Sequence, residues 1–256
     1  MDNRSSNGVT DLARVGTQIA LSAGQPIASY LSEWSGRGQS VVERARQSDG
    51  PVAPAEGAFA IWGPLFGAST ALAIWSATPE RRHDPALRRI GWLACAATAS
   101  NIAWSLNAQL SGLGWRSLGL IGASAASSIA ALIEAERRFP RSPLARRATW
   151  AVGPLAGWLT LASFANLEAT LNETRGRPTA RTETQRAAAL VGAASAAASG
   201  MAIATRGNLP FAGAVAWGLG GVVVRNVRER RRSVTAAACA GLIALAGVTL
   251  WSRRRR

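Results

Sequence analysis

Lysine is absent from the 256 residues, histidine and tyrosine occur once each, and cysteine occurs twice. Each shortage excludes a class of chemistry. The single imidazole, His83, sits in the charged stretch 79–89, so no apolar run offers a histidine to a haem iron or a zinc ion. Cys95 and Cys239 fall in separate apolar runs without metal-ligand or redox spacing and read as small apolar side chains. Carboxylates are scarce and none lies at the centre of an apolar run: Glu56 and Glu168 are toward ends, and Glu134 and Glu136 are at a boundary. Ion-coupled transport draws on titratable groups near the membrane midplane, and none is found there. With no Ser/His/Asp, Cys/His or phosphate-loop arrangement, the chain is not expected to be a conventional enzyme. No catalytic residue and no metal ligand is assigned.

What is present is apolar sequence in long runs. A hydrophobic share of 48% and a mean hydropathy of +0.09 would suit a soluble domain, but the apolar residues gather into eight runs almost free of charge. These are 14–31, 56–77, 89–110, 114–134, 148–171, 186–205, 209–224 and 234–251. Most approach the roughly 20 residues that cross a bilayer. The expectation is an all-α, multi-pass integral protein of the plasma or inner membrane. The first run, with Gln18, Gln25 and Pro26, and the short seventh are the weakest and could lie shallow or re-enter. The first thirteen residues do not resemble a cleavable signal, so the first helix would serve as its own insertion signal.

The formal charge of +15 comes entirely from arginine, placed between the runs and in the tail Arg253, Arg254, Arg255 and Arg256. Loop arginines of this kind fix topology and meet anionic lipid headgroups, so membrane lipids rather than nucleic acid are the expected partners. Their bias over the first five helices favours a cytoplasmic N-terminus. The polar stretch 172–186 then divides a five-helix unit, 1–171, from a three-helix extension, 187–256, expected to be dispensable for folding of the first unit.

Three motifs carry chemistry. Pro54, Phe59, Trp62 and Phe66 open the second run, the aromatics recurring at i, i+3, i+7 on one helix face. Asn101 and Trp104 lie three apart in the third run, followed by Ser105. In the fifth run Pro154 and Trp158 precede Asn166, eight residues beyond the indole. An amide inside a bilayer is expensive without a partner, so each asparagine is interhelical glue or a polar anchor in a cavity, and either could accept from a buried indole N–H. Of ten tryptophans, Trp34, Trp75, Trp92, Trp115, Trp150 and Trp251 fall near run ends and suit an interfacial aromatic belt. Trp62, Trp104, Trp158 and Trp217 are internal, as core packing or as cavity lining.

In these motifs the chain resembles the TspO/MBR family, the tryptophan-rich sensory or translocator proteins, over about residues 14–171. With its further helices it is more similar to the family's longer branch. The chain departs from the best-known members in having Ala53 rather than proline before Pro54 and in spacing Phe59 three residues before Trp62. The resemblance implies a five-helix bundle with about three further transmembrane helices, and an apolar cavity beneath the loop 32–51. It implies a small apolar or aromatic ligand, tetrapyrrole-like and held without covalent attachment, bound by Pro54, Phe59, Trp62, Phe66, Asn101, Trp104, Trp158 and Asn166 in a sensory or translocator role. The alternatives are a passive transporter or lipid-handling channel, and light- or oxygen-dependent porphyrin degradation. Small-residue faces such as Gly218, Gly220 and Gly221 permit close helix contact within one chain or in a homodimer.

Overall fold

The computed structural model describes residues 3–48, 50–176 and 178–255. Among them no strand occurs. The chain order is α1 (Asn3–Ser29), α2 (Leu31–Ser35), α3 (Val41–Ser48), a 3-10 turn (Glu56–Ile61) leading into α4 (Trp62–Ser76), α5 (Pro79–Arg82) and α6 (Pro85–Ser111). After these come α7 (Trp115–Ile133), continued by a π-helical turn (Glu134–Arg138), then α8 (Pro143–Arg175), α9 (Ala180–Ala204), α10 (Leu209–Arg228) and α11 (Arg232–Arg254).

Local chemistry explains where the long helices begin. Asp84, Ser142 and Asn208 each accept a hydrogen bond from an otherwise orphaned amide of the first turn, at Ala86 and Leu87, Ala145, and Phe211 respectively. In each case a proline follows within two residues, where its missing N–H costs nothing.

The eight apolar runs correspond to α1, the 3-10 turn with α4, and α6 to α11. Four stretches, Glu56–Ser76, Trp115–Arg138, Ala180–Ala204 and Arg232–Arg254, are each long and apolar enough to cross a membrane on composition alone. The weakness of the first run has a structural reason. Asp11, Arg14, Gln18, Ser22 and Gln25 recur every three or four residues on one face of α1 and are buried, the helix packing against α4 and α6. Gln25 donates to Ser69 (3.2 Å), Asn101 donates to Gln25 (3.4 Å), and Gln109 donates to the Ala28 carbonyl (2.7 Å) while accepting from the Ser32 amide (2.8 Å). The polar residues of α1 thus form an internal seam, and the helix runs unbroken beside α6.

Where α1 precedes its apolar run, Asp11 is clamped by Arg88 at 2.6 and 2.7 Å and by His83 Nδ1 at 2.7 Å. Burial works to raise the Asp11 carboxyl, but the hydrogen bonds from Arg88 and then His83 outweigh it and hold it below its ordinary value. A lowered carboxyl stabilises the fold fully above the unfolded pKa, about 3.9, and that contribution is lost as pH falls through the folded value. Asp11→Asn should cost about 1–3 kcal/mol near neutral pH. The gap in thermal midpoint between variant and parent should close on acidification; a gap constant down to pH 3 would show that the pair contributes nothing.

The extension does not stand apart from the bundle. One continuous apolar core joins Leu72 of α4, Leu87 of α6, Leu132 of α7 and Val152 of α8 to Val191 of α9, Phe211 and Val215 of α10, and Leu245 of α11. Glycines make the closest approach: a methyl group at Gly153 would fall 2.8 Å from Asn208 Oδ1, and one at Gly218 would fall 2.6 Å from Leu161 Cδ1. The expected polar loop 172–186 is mostly helix, since α8 runs on to Arg175 and α9 begins at Ala180, and it is not a boundary in the packing.

Candidate functional site

The stretch leading to Pro54 is held by two helices distant in sequence. A buried Glu168 of α8 accepts from the Val52 amide (2.8 Å), and Asn226 of α10 donates to the Pro51 carbonyl (2.9 Å). The Ala55 amide donates to the Gly221 carbonyl (3.0 Å), and Trp217 Nε1 donates to the Ala58 carbonyl (2.9 Å). Gly221 allows this contact, since a methyl group there would fall 2.8 Å from the Cβ atoms of both Pro54 and Ala58. Four hydrogen bonds thus fix the backbone that aims Phe59 and Trp62.

Those side chains wall an apolar cavity of about 60 Å³. Pro54, Phe59, Trp62, Trp104, Trp158 and Asn166 line it, with Val41 and Ala45 of α3 above and Gly218 and Val222 of α10 at the side. Trp62 is the centre of the aromatic cluster. It stacks on Phe66 (centroids 5.6 Å apart, 27°) and on Trp104 (6.1 Å, 26°), and meets Trp158 edge-on (6.1 Å, 83°). Phe59 meets Trp158 edge-on as well (5.9 Å, 80°). Both geometries suit the ring quadrupole.

Polar satisfaction at the cavity is uneven. Asn166 Oδ1 accepts from Trp104 Nε1 (3.1 Å) and Ser117 Oγ (3.0 Å), while its amide donates to the Ala162 carbonyl (3.1 Å). Asn166 is thus the acceptor that a buried indole needs. Trp158, 3% exposed, has an indole N–H without a partner. It is a buried donor with no acceptor among the described residues.

Phe66 and Asn101 do not join the first cavity. They line a second chamber of about 100 Å³ with Tyr30, Glu33 and Ser105, and Phe59, Trp62 and Trp104 form the wall common to both spaces. The loop 32–51, expected above the cavity, contains the helix α3, whose Val41 and Ala45 line the cavity. It is tethered by Gln39 N to Gln109 O (3.1 Å), Arg44 to Gln109 O (3.4 Å), and a bidentate Arg46–Glu56 pair at 2.5 and 2.6 Å. Trp34, Trp92, Trp115, Trp150 and Trp251 are exposed, and Trp75 lies under the Arg81 guanidinium (5.0 Å). Trp217, also exposed at 51%, faces outward while its N–H pins the 3-10 turn.

Sequence reasoning missed Gly218, Val222 and Asn226. Asn226 had a usable signal, an amide just beyond an apolar run, where Asn101 and Asn166 lie inside theirs. Gly218 and Val222 had none beyond the glycine-rich character of the seventh run. Among the described residues no cluster of three or more His, Cys, Asp or Glu could hold a metal ion.

Searches among curated proteins and among solved structures found no match to the chain. The match to a protein family is instead nearly full-length, covering residues 19–251, so that α10 and most of α11 fall within it together with the aromatic-walled cavity. The chain is a membrane protein of the family of TSPO-like proteins.

Proposed function

We propose that the chain binds a small apolar or aromatic ligand in the first cavity, in a sensory or translocator role in the plasma or inner membrane. By family resemblance the ligand is tetrapyrrole-like. The observation that carries this reading is the unpaired N–H of Trp158, whose ring lines a space walled mainly by aromatic and aliphatic carbon, with Asn166 as the polar side chain beside it. A ligand offering a flat face to Trp62 and an acceptor to Trp158 satisfies both. A water needs roughly 15 Å³ of such space, so the closed cavity has room for only a few atoms. A tetrapyrrole would enter by displacement of α3, whose tethers include two contacts to the Gln109 carbonyl and one surface ion pair.

The test is a titration of the full chain in detergent with protoporphyrin, read by tryptophan quenching. Trp158→Phe retains a ring and removes the N–H, and one such hydrogen bond is worth about 1 kcal/mol. Affinity should fall about fivefold, while Trp251→Leu leaves it unchanged. Equal affinities in parent and Trp158→Phe would show that the porphyrin does not use this cavity.

A further inference from the structure

We propose that the second chamber is a binding site for cationic amphiphiles, taking a protonated aromatic amine with its ammonium toward Glu33 and Asn101 and its ring against Trp62 and Phe66. This goes beyond the first-cavity reading, because the two spaces share a wall and differ in chemistry.

The charge pattern is the first argument. The chain carries twenty-nine arginines and a net charge of +15, yet no arginine lines this chamber, and the only charged lining residue is Glu33. Glu33 makes no ion pair among the described residues and is exposed, so its carboxylate is available at the rim. The second argument is an orphaned acceptor. Asn101 is 2% exposed; its Nδ2 is engaged with Gln25 at 3.4 Å, and its Oδ1 is buried without a partner. A buried carbonyl oxygen left unpaired is costly, and a ligand N–H removes that cost. The first cavity has the opposite vacancy, a donor, so the two spaces select ligands of opposite hydrogen-bond character.

The walls complete the site. Aromatic faces attract a cation through the ring quadrupole, and Trp62, Phe66 and Tyr30 all line the space. Tyr30 stacks on exposed Trp34 (6.1 Å), a pair that suits the membrane interface where amphiphilic cations gather. An anionic amphiphile would meet a carboxylate and a carbonyl oxygen with neutral hydroxyls but no cationic side chain in the lining to offset them, which disfavours the wrong ligand as well as favouring the right one.

A matched pair of fluorescent probes tests this with the full chain in nonionic detergent: dansylcadaverine, which carries a primary ammonium, and dansylglycine, which carries a carboxylate. The cation should bind at least about tenfold more tightly. Glu33→Gln should remove most of that preference, and Glu33→Lys should reverse it. Asn101→Ala should weaken the cation alone. Trp158→Phe, which weakens ligands of the first cavity, should leave dansylcadaverine unchanged, so failure of either reading is separable from failure of the other. Equal binding of the two probes, no binding of the cation, or a preference untouched by Glu33→Gln overturns the proposal. So does a loss of cation binding in Trp158→Phe equal to that in Glu33→Gln, which would place the probe in the first cavity.

Discussion

Truncation after Arg175 is expected to give a fragment that aggregates in detergent and no longer binds ligand in the first cavity. The reason is the face that α10 covers. Phe211 and Val215 are fully buried and Leu219 is 1% exposed, all within the core shared with α8. Gly157 and Gly153 bring the two backbones close, so removal of α10 leaves an open groove along α8, not a smooth lipid-facing surface. In a bilayer the hydrophobic effect drives helix association little, and close packing and interhelical hydrogen bonds take its place. Both are lost together here. The bonds from Asn226 to Pro51, from Ala55 to Gly221 and from Trp217 to Ala58 all vanish, at about 1 kcal/mol each. The segment that aims Phe59 and Trp62 then keeps its Glu168 contact and the exposed Arg46–Glu56 pair. Size-exclusion chromatography and a porphyrin titration on the fragment decide the matter. A monodisperse fragment with the parent's affinity would mean that the first five helices are self-sufficient, as the polar stretch 172–186 suggests when read alone.

That contrast shows what local sequence can and cannot reveal. Apolar runs are a one-dimensional signal, so the long helices at α6, α7, α9 and α11 are legible with their ends within a few residues. The pairing of Asn166 with an indole was legible for a similar reason: an amide in a bilayer must find a partner, and few candidates exist. The wall supplied by α10 was not. Trp217 reaches Ala58, and Asn226 reaches Pro51, across more than 150 positions, and nothing near either residue announces the other. The division of the site into two spaces was hidden by a change of helix type. Phe59 lies in a 3-10 turn, where residues three apart eclipse, so it shares the first cavity with Trp62; four residues later, inside α4, Phe66 stacks under Trp62 and faces the second chamber. The i, i+3, i+7 spacing assumed one regular helix and one space. The helix within the loop 32–51 was not legible because α3 has only eight residues, with Val41 and Ala45 as the cavity-lining part of a polar sequence.

Trp62→Ala is expected to be the most damaging single substitution at the site, lowering stability by about 3–5 kcal/mol and abolishing binding in both spaces. Trp62 contacts Phe66, Trp104 and Trp158 with ring centroids 5.6 to 6.1 Å away, so its removal empties the middle of the cluster rather than one edge. The remaining rings cannot collapse together freely. Trp104 is fixed by its hydrogen bond to Asn166, and Phe59 is carried by a backbone pinned from α8 and α10. A void therefore persists between the two chambers and joins them. Trp62→Phe keeps a stacking face and should recover part of both stability and binding. Trp251→Leu, at an exposed position whose ring lies 4.1 Å from the Arg255 guanidinium carbon, should alter neither. Thermal unfolding of the three variants, followed by titration with protoporphyrin and with dansylcadaverine, gives the ranking directly. If Trp62→Ala retains both ligands with the parent's affinities, the ring is a packing element of the bundle and neither space depends on the aromatic wall they share.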